Sequence, residues 1–220
     1  MADRKQEPVV VIGLGRFGSA LAAELTRRGT EVLAIESDAK VVQSLSGQLT
    51  HVVAADATDI EALRQLGVPE FNRAVVGIGT NIEASILAAS LLVDLEIDNI
   101  WAKAVTRQHG RILSRIGVHH VVFPEHDMGL RVAHLVSEQI QDYVEVDENF
   151  AIVKTKPPKE AVGVPLGETK LRSKYGVTVV SVKSRGEPFT YATADTVLTD
   201  GDTIIVSGTI DDVERFVESG

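Results

Sequence analysis

The 220-residue chain contains no cysteine, which excludes disulfide scaffolds, thiolate metal sites and cysteine nucleophiles together and fits a reducing compartment. It has no long hydrophobic run either. One of the longest, Ile86 to Val93, is interrupted by Ser90 and spans about eight residues, whereas a membrane-spanning helix needs roughly 20. The segment Met1 to Pro8 is charged and lacks the apolar centre of a signal peptide, so a cytosolic location is expected and any membrane span must come from another chain. Basic residues are outnumbered, 22 Lys and Arg against 31 Asp and Glu, and the formal charge of -9 argues against general affinity for nucleic acid or an anionic bilayer. Also missing are HExxH, GxSxG and GxxxxGK[ST], so metalloprotease, α/β-hydrolase and P-loop ATPase readings lack their defining chemistry.

What is present is an ordinary globular balance, 44% apolar and 24% charged, in a chain long enough for one medium and one small domain. From Pro8 to about Ile140, strand-like runs alternate with helix-like runs, the order of a parallel sheet covered on both faces. The expected strands are Val9 to Ile12, Glu31 to Ile35, His51 to Ala55, Ala74 to Ile78, Ile100 to Ala104 and His120 to Phe123. Phe17, Leu21 and Leu25 form one helical stripe that Gly29 closes. The segment Asp127 to Ile140, with Leu130, Ala133, His134 and Ser137 on related turns, reads as a connecting or dimer-forming helix.

Beyond Asp142 the pattern shifts to short alternating strands, Tyr143 to Val146, Ala151 to Thr155, Val177 to Val182 and Thr203 to Ser207. One short helix is expected near Leu166 to Lys174, and a last one from Asp211 to Glu218. The fold class is therefore α/β, a doubly wound parallel sheet over 1–140 followed by a small α+β domain over 141–220.

The glycines carry the first functional signal. Val9 to Gly18 places a GxGxxG between a strand and an amphipathic helix, the context in which that motif has physical meaning. Gly13 permits the tight turn, Gly15 lets the backbone approach a phosphate, Gly18 allows close helix packing, and the helix N-terminus offers unpaired N–H donors. Glu36 ends the second strand, 18 residues after Gly18, where a carboxylate would accept hydrogen bonds from ribose hydroxyls and repel a 2′-phosphate. Arg16 lies inside the loop, either as a solvated helix-start residue or as a guanidinium aimed at phosphates.

Catalysis is less well supported. A hydride-transferring enzyme needs a substrate domain and a positioned acid or base, and about 80 residues remain after the first domain. Histidines at 51, 109, 119, 120, 126 and 134 form no recognisable pair with an acid at catalytic spacing. Binding without turnover is the reading the residues favour. An NAD-dependent oxidoreductase or NAD(H) redox sensor is the alternative, and a structural subunit with a vestigial pocket is a third.

VIGLGRFG at 11–18, EVLAIE at 31–36, GIGTN at 77–81, NIWAKA at 99–104, FPEHDMG at 123–129 and SKYGVTVVSVK at 173–183 run along nearly the whole chain. As an ordered set they resemble the RCK (regulator of K+ conductance) family, also called the TrkA N-terminal and C-terminal domains, and within it the ring subunits of Ktr potassium uptake systems. The resemblance implies a cytoplasmic regulatory subunit that binds ATP, ADP or NAD(H). It also implies dimers assembled into an octameric ring, docked at the inner face of the cell membrane on a potassium-translocating subunit.

Carried over by resemblance, Arg16 with Phe17 and the loop glycines contacts phosphates, Glu36, Ser37 and Asp38 the ribose, and Asp56 with Ala57 the adenine edge. Ile78, Gly79, Thr80, Lys103, Ala104, Val105 and His109 complete the pocket. Glu125 matches a family acid that helps hold a divalent cation, Mg or Ca, with its counterpart in a dimer, although a carboxylate after Pro124 is also an ordinary helix start. Family members of this type bind cyclic di-AMP in the C-terminal domain. Val162, Gly163, Val164, Arg172, Val179 and Val180 are the nearest candidates, in positions where a core needs aliphatic residues anyway.

Overall fold

The computed structural model describes residues 7–136 and 140–218, which divide into two units with the break between Glu125 and His126. The first unit holds six parallel strands, β1 (Val9–Ile12), β2 (Val32–Glu36), β3 (His51–Ala54), β4 (Arg73–Val76), β5 (Asn99–Lys103) and β6 (His120–Val122). They lie in the order β3-β2-β1-β4-β5-β6, so the connection reverses direction between β1 and β4. The expected strands are all found, β1 with the same ends and the others with at least one end displaced by one or two residues.

Five α-helices, α1 (Arg16–Arg27), α2 (Ala39–Leu45), α3 (Ile60–Gln65), α4 (Ile82–Asp94) and α5 (Arg107–Arg115), and a 3-10 turn at Val68–Glu70 accompany them among the described residues. Alternation along the central strands sorts residues to two faces. Val9, Val11, Val32 and Ala34 pack with Ala22 of α1 and Leu49 on one side. Val10, Ile12, Leu33, Ile35, Ala74, Val76 and Ile100 pack with Leu63, Ala88, Leu92 and Leu113 on the other. Strands apolar on both faces belong in a sheet covered twice, which is why these runs are continuous rather than alternating. Gly29 takes φ +82, a left-handed conformation that a glycine adopts without a Cβ clash, and ends α1 as the sequence predicts.

The helix expected over 127–140 starts earlier and ends sooner, as α6 (Pro124–Val136). Ser137 lies outside the described residues, and Ile140 opens a strand instead of closing the helix. The sequence reading placed the domain boundary at 140/141, whereas the break between units falls ahead of most of α6. The cause is local: Leu135 packs on the second core, Arg131 pairs with Asp142, and His134 stacks on Tyr143.

The second unit is an antiparallel sheet of β7 (Ile140–Asp147), β8 (Phe150–Thr155), β9 (Thr178–Lys183), β10 (Thr190–Tyr191) and β11 (Thr203–Gly208), ordered β10-β9-β11-β8-β7. The two-residue β10 is too short to leave a period in the sequence. The single helix expected near 166–174 is two, α7 (Leu166–Thr169) and α8 (Leu171–Tyr175), because Lys170 adopts φ +54 between them. The last helix, α9 (Ile210–Glu218), buries Val213, Phe216 and Val217 against Val153, Ile204 and Val206. Among the described residues no helix is long and apolar enough to cross a membrane.

Candidate functional site

A cavity of about 490 Å³ opens at the carboxyl ends of β1, β2, β4 and β5, where the strand order reverses. Open α/β sheets bind ligands at this point because the loops diverge there and leave a crevice. The size suits a small-molecule ligand.

Its floor is the glycine loop. Gly13 has φ +85, and a Cβ there would meet Ile78 Cγ1 at 2.7 Å and Ile78 N at 2.9 Å. At Gly18 a Cβ would fall 1.9 Å from the Gly13 carbonyl oxygen, so the start of α1 lies directly on the loop. Gly77 is confined less severely, a Cβ there falling 2.8 Å from the same oxygen. Gly15 differs, since a Cβ there meets nothing within 4 Å. The fold accounts for Gly13, Gly18 and Gly77; the open space at Gly15 faces the cavity, where backbone can approach a ligand.

Gly15 is also the N-cap of α1, without a side-chain cap, and the first turn carries no acid. The helix therefore presents uncapped N–H groups and the positive end of its dipole to an anion. Arg16 is exposed, lines the cavity, and acts electrostatically on Glu125. Across the cavity a second helix, α4, is capped by Asn81, whose side chain accepts from the Ala84 N–H at 3.0 Å.

Glu36 stands at the end of β2 with both carboxylate oxygens accepting hydrogen bonds, Oε2 only one. Oε2 accepts the Leu14 N–H at 2.7 Å, and Oε1 accepts Ser37 N–H at 2.8 Å, Ser37 Oγ at 3.1 Å and Asp38 N–H at 3.1 Å. Asp56 holds the next turn through Thr58 N and Thr58 Oγ1, at 2.9 and 2.7 Å, and these donors hold its carboxyl below the usual range.

The far wall carries charge of both signs. Lys103 at the end of β5 is nearly buried, its side chain 10% exposed, and its Nζ donates to Glu125 Oε1 at 2.5 Å. Glu125, in the first turn of α6, is 57% exposed. Lys103, and more weakly Arg16, hold its carboxyl below the ordinary glutamate value. Gly79 makes room, since a Cβ there would lie 3.0 Å from Lys103 Nζ.

Of the residues expected here, Gly13, Gly15, Arg16, Phe17, Glu36, Ser37, Asp56, Ala57, Ile78, Gly79, Thr80, Lys103, Val105 and Glu125 line the cavity together. Four do not. Gly18 lies beneath the loop, and Asp38 caps α2 by accepting from Lys40 N–H. Ala104 is in the core. His109 is buried on α5, where its Nδ1 accepts a long 3.4 Å bond from the Val105 N–H. Burial lowers the His109 pKa, and its Nε2 has no partner among the described residues.

Thr58 and Asn81 line the cavity without having been expected as site residues. Each had a signal: Asp56-Ala-Thr58 is an Asx-turn pattern, and Asn81 sits at the N-cap spacing before an apolar helix.

In the second unit, Arg172 and Val179 line a shallow hollow with Lys170 and Thr193, and Arg172 Nε donates to Thr178 Oγ1 at 3.1 Å. Val162, Gly163, Val164 and Val180 lie outside it: Val162 bridges to Leu198, Gly163 donates to the Leu198 carbonyl, and Val180 accepts from Ala192. Among the described residues no group of three or more His, Asp or Glu side chains is placed to hold a metal, and Glu125 alone does not make a cation site.

Residues 9–124 match the model of the TrkA-N domain, and residues 150–219 that of the TrkA-C domain. The chain is 34% identical to Ktr system potassium uptake protein A of Bacillus subtilis, with all of both chains covered. It is 37% identical to Ktr system potassium uptake protein C of the same organism, over 94% of each chain. Among solved structures, the GsuK channel bound to NAD superposes with a TM-score of 0.65 at 18% identity, covering 99% of this chain and 40% of that one. GsuK bound to ADP gives 0.52 at 25% identity, over 62% of this chain and 35% of the other. This chain thus spans less than half of those channel chains. On these matches and on its fold, the chain belongs to the TrkA-N and TrkA-C family.

Proposed function

We propose that the protein is a regulatory subunit of a potassium uptake system, one that binds ATP or ADP in the cavity and acts on a membrane potassium-translocating subunit without chemical turnover. The observation that carries this reading is the cavity itself: an uncapped helix N-terminus, an open Gly15, and Arg16 and Lys103 on one rim, with an acceptor-rich Glu36 on the other. Phosphates belong at the first end and a ribose at the second. The full-length Ktr relatives, named as potassium uptake proteins, support the system in which it works.

Arg16 supplies the discrimination. A guanidinium at the loop meets a γ-phosphate that ADP lacks, and a charge-assisted contact of that kind contributes on the order of 1.5–3 kcal/mol. Repeated around an octameric ring of dimers, such differences reach the roughly 5.5 kcal/mol that turns one population into another. The exposed apolar residues of α6, Met128, Leu130, Val132 and Val136, support its covering by a second copy. A divalent cation at Glu125 would need ligands from that copy or from the nucleotide. The hollow beside Arg172 supports cyclic di-AMP binding only through two of the residues that resemblance named.

NAD(H) sensing is the second reading, favoured by Glu36, which suits the ribose of a dinucleotide equally well, and by the NAD in a structural neighbour. Calorimetric titration of nucleotide-stripped protein with ATP, ADP and NADH separates the two. Tight ATP and ADP binding with weak NADH binding supports the first reading, and the reverse order replaces it with the second.

A further inference from the structure

Lys103 is the one nearly buried ammonium lining the cavity among the described residues, and its partner is a carboxylate more than half in water. A buried cation needs an anion for compensation, but a carboxylate that is largely hydrated does not need the cation and can be replaced by any better acceptor. Both side chains line the same cavity as the glycine loop, and Arg16 is close enough for its charge to act on Glu125. A Cβ at Gly79 would lie 3.0 Å from Lys103 Nζ, so the glycine leaves that side of the ammonium unobstructed.

We propose that the Lys103–Glu125 pair is an exchangeable ion pair, in which Glu125 holds the place of a ligand phosphate and is displaced from Lys103 when a nucleotide binds. The inference rests on the nucleotide reading above and adds a regulatory step to it. Glu125 competes with the ligand, so the site responds to the charge of the phosphate chain and not only to its presence. The released carboxylate belongs to the first turn of α6, and that helix continues past the break between the two units. Exchange therefore changes what anchors the start of the connecting helix.

A wholly static pair makes a different prediction. If Glu125 only orients Lys103 for the ligand, removing the carboxylate weakens binding; if it competes, removal strengthens binding. The test is titration of AMP, ADP and ATP into wild type, Glu125→Gln, Lys103→Met and the double variant, with EDTA present so that no divalent ion enters. Exchange predicts that Glu125→Gln binds ATP on the order of tenfold more tightly, with a smaller gain for AMP. Lys103→Met should bind ATP on the order of tenfold more weakly, and in that background Glu125→Gln should bring no gain.

Unchanged or weaker ATP binding by Glu125→Gln overturns the exchange while leaving nucleotide binding intact. Absence of binding by folded wild type to all three nucleotides overturns both. Because Glu125 is largely exposed, Lys103→Met strands no buried charge, and its circular dichroism and melting curve establish that it is folded.

Discussion

The Glu36 carboxylate accepts the backbone N–H of Leu14 at 2.7 Å, across 22 residues of sequence. The acid that a ribose would use thus also holds the loop on which phosphates would rest, so the two ends of the candidate site are mechanically one.

Glu36→Gln should therefore do two things at once. An amide keeps one acceptor oxygen and turns the other position into a donor facing backbone N–H groups, which costs about 1 kcal/mol of stability for a partly exposed site. Urea unfolding measures that loss. ATP affinity should fall by about tenfold, since a charged acceptor is replaced by a weaker one. Wild-type affinity in the variant would place the ribose elsewhere.

The glycines separate folding from binding. Gly18→Ala puts a Cβ 1.9 Å from the Gly13 carbonyl oxygen, an overlap that only backbone displacement relieves, and the expected cost is about 3 kcal/mol or more. Gly15→Ala meets nothing within 4 Å at an ordinary extended conformation, φ -63 and ψ -171, and its stability should stay within about 0.5 kcal/mol of wild type. Nucleotide affinity should nonetheless drop for Gly15→Ala. Thermal melts with and without ATP show the contrast, Gly15→Ala losing the ATP-induced shift and Gly18→Ala losing the baseline Tm.

These contrasts mark what was legible beforehand. The strand–glycine–helix context located the loop, and two-faced apolar strands gave the sheet, because both depend on local order in the chain. The motif separated Gly13 and Gly18, which the turn and the packing require, from Gly15, which faces open space; what it did not give is the confinement by Ile78 and Gly77, which follow β4 some sixty residues away. His109 was expected in the pocket wall by resemblance, but the helical phase of α5 turns it inward. Lys103 and Glu125 were both named, yet their pairing spans 22 residues and two elements and leaves no spacing signature. In the second unit, Lys170 at φ +54 split a helix that the apolar pattern showed as continuous.

His109 gives the pH dependence its sign. Burial lowers its folded pKa below the ordinary 6.5, so the unfolded chain binds a proton more readily than the native one. Its contribution is fully present above pH 6.5 and is lost as the pH falls through that value toward the lowered folded pKa. His109→Gln, which does not titrate there, should flatten the stability curve between about pH 7 and 5. Unfolding midpoints in urea at three pH values measure the slope, and an unchanged slope would assign the dependence to another group.

The central claim is that Arg16 reads the terminal phosphate of a nucleotide bound over the glycine loop. Its most direct test is calorimetric titration of wild type and Arg16→Ala with ATP and ADP under identical salt. Arg16 is exposed, so the substitution should leave the fold intact. Wild type should prefer ATP on the order of tenfold, and the variant should bind the two nucleotides with nearly equal affinity. Full ATP preference in Arg16→Ala would contradict the account.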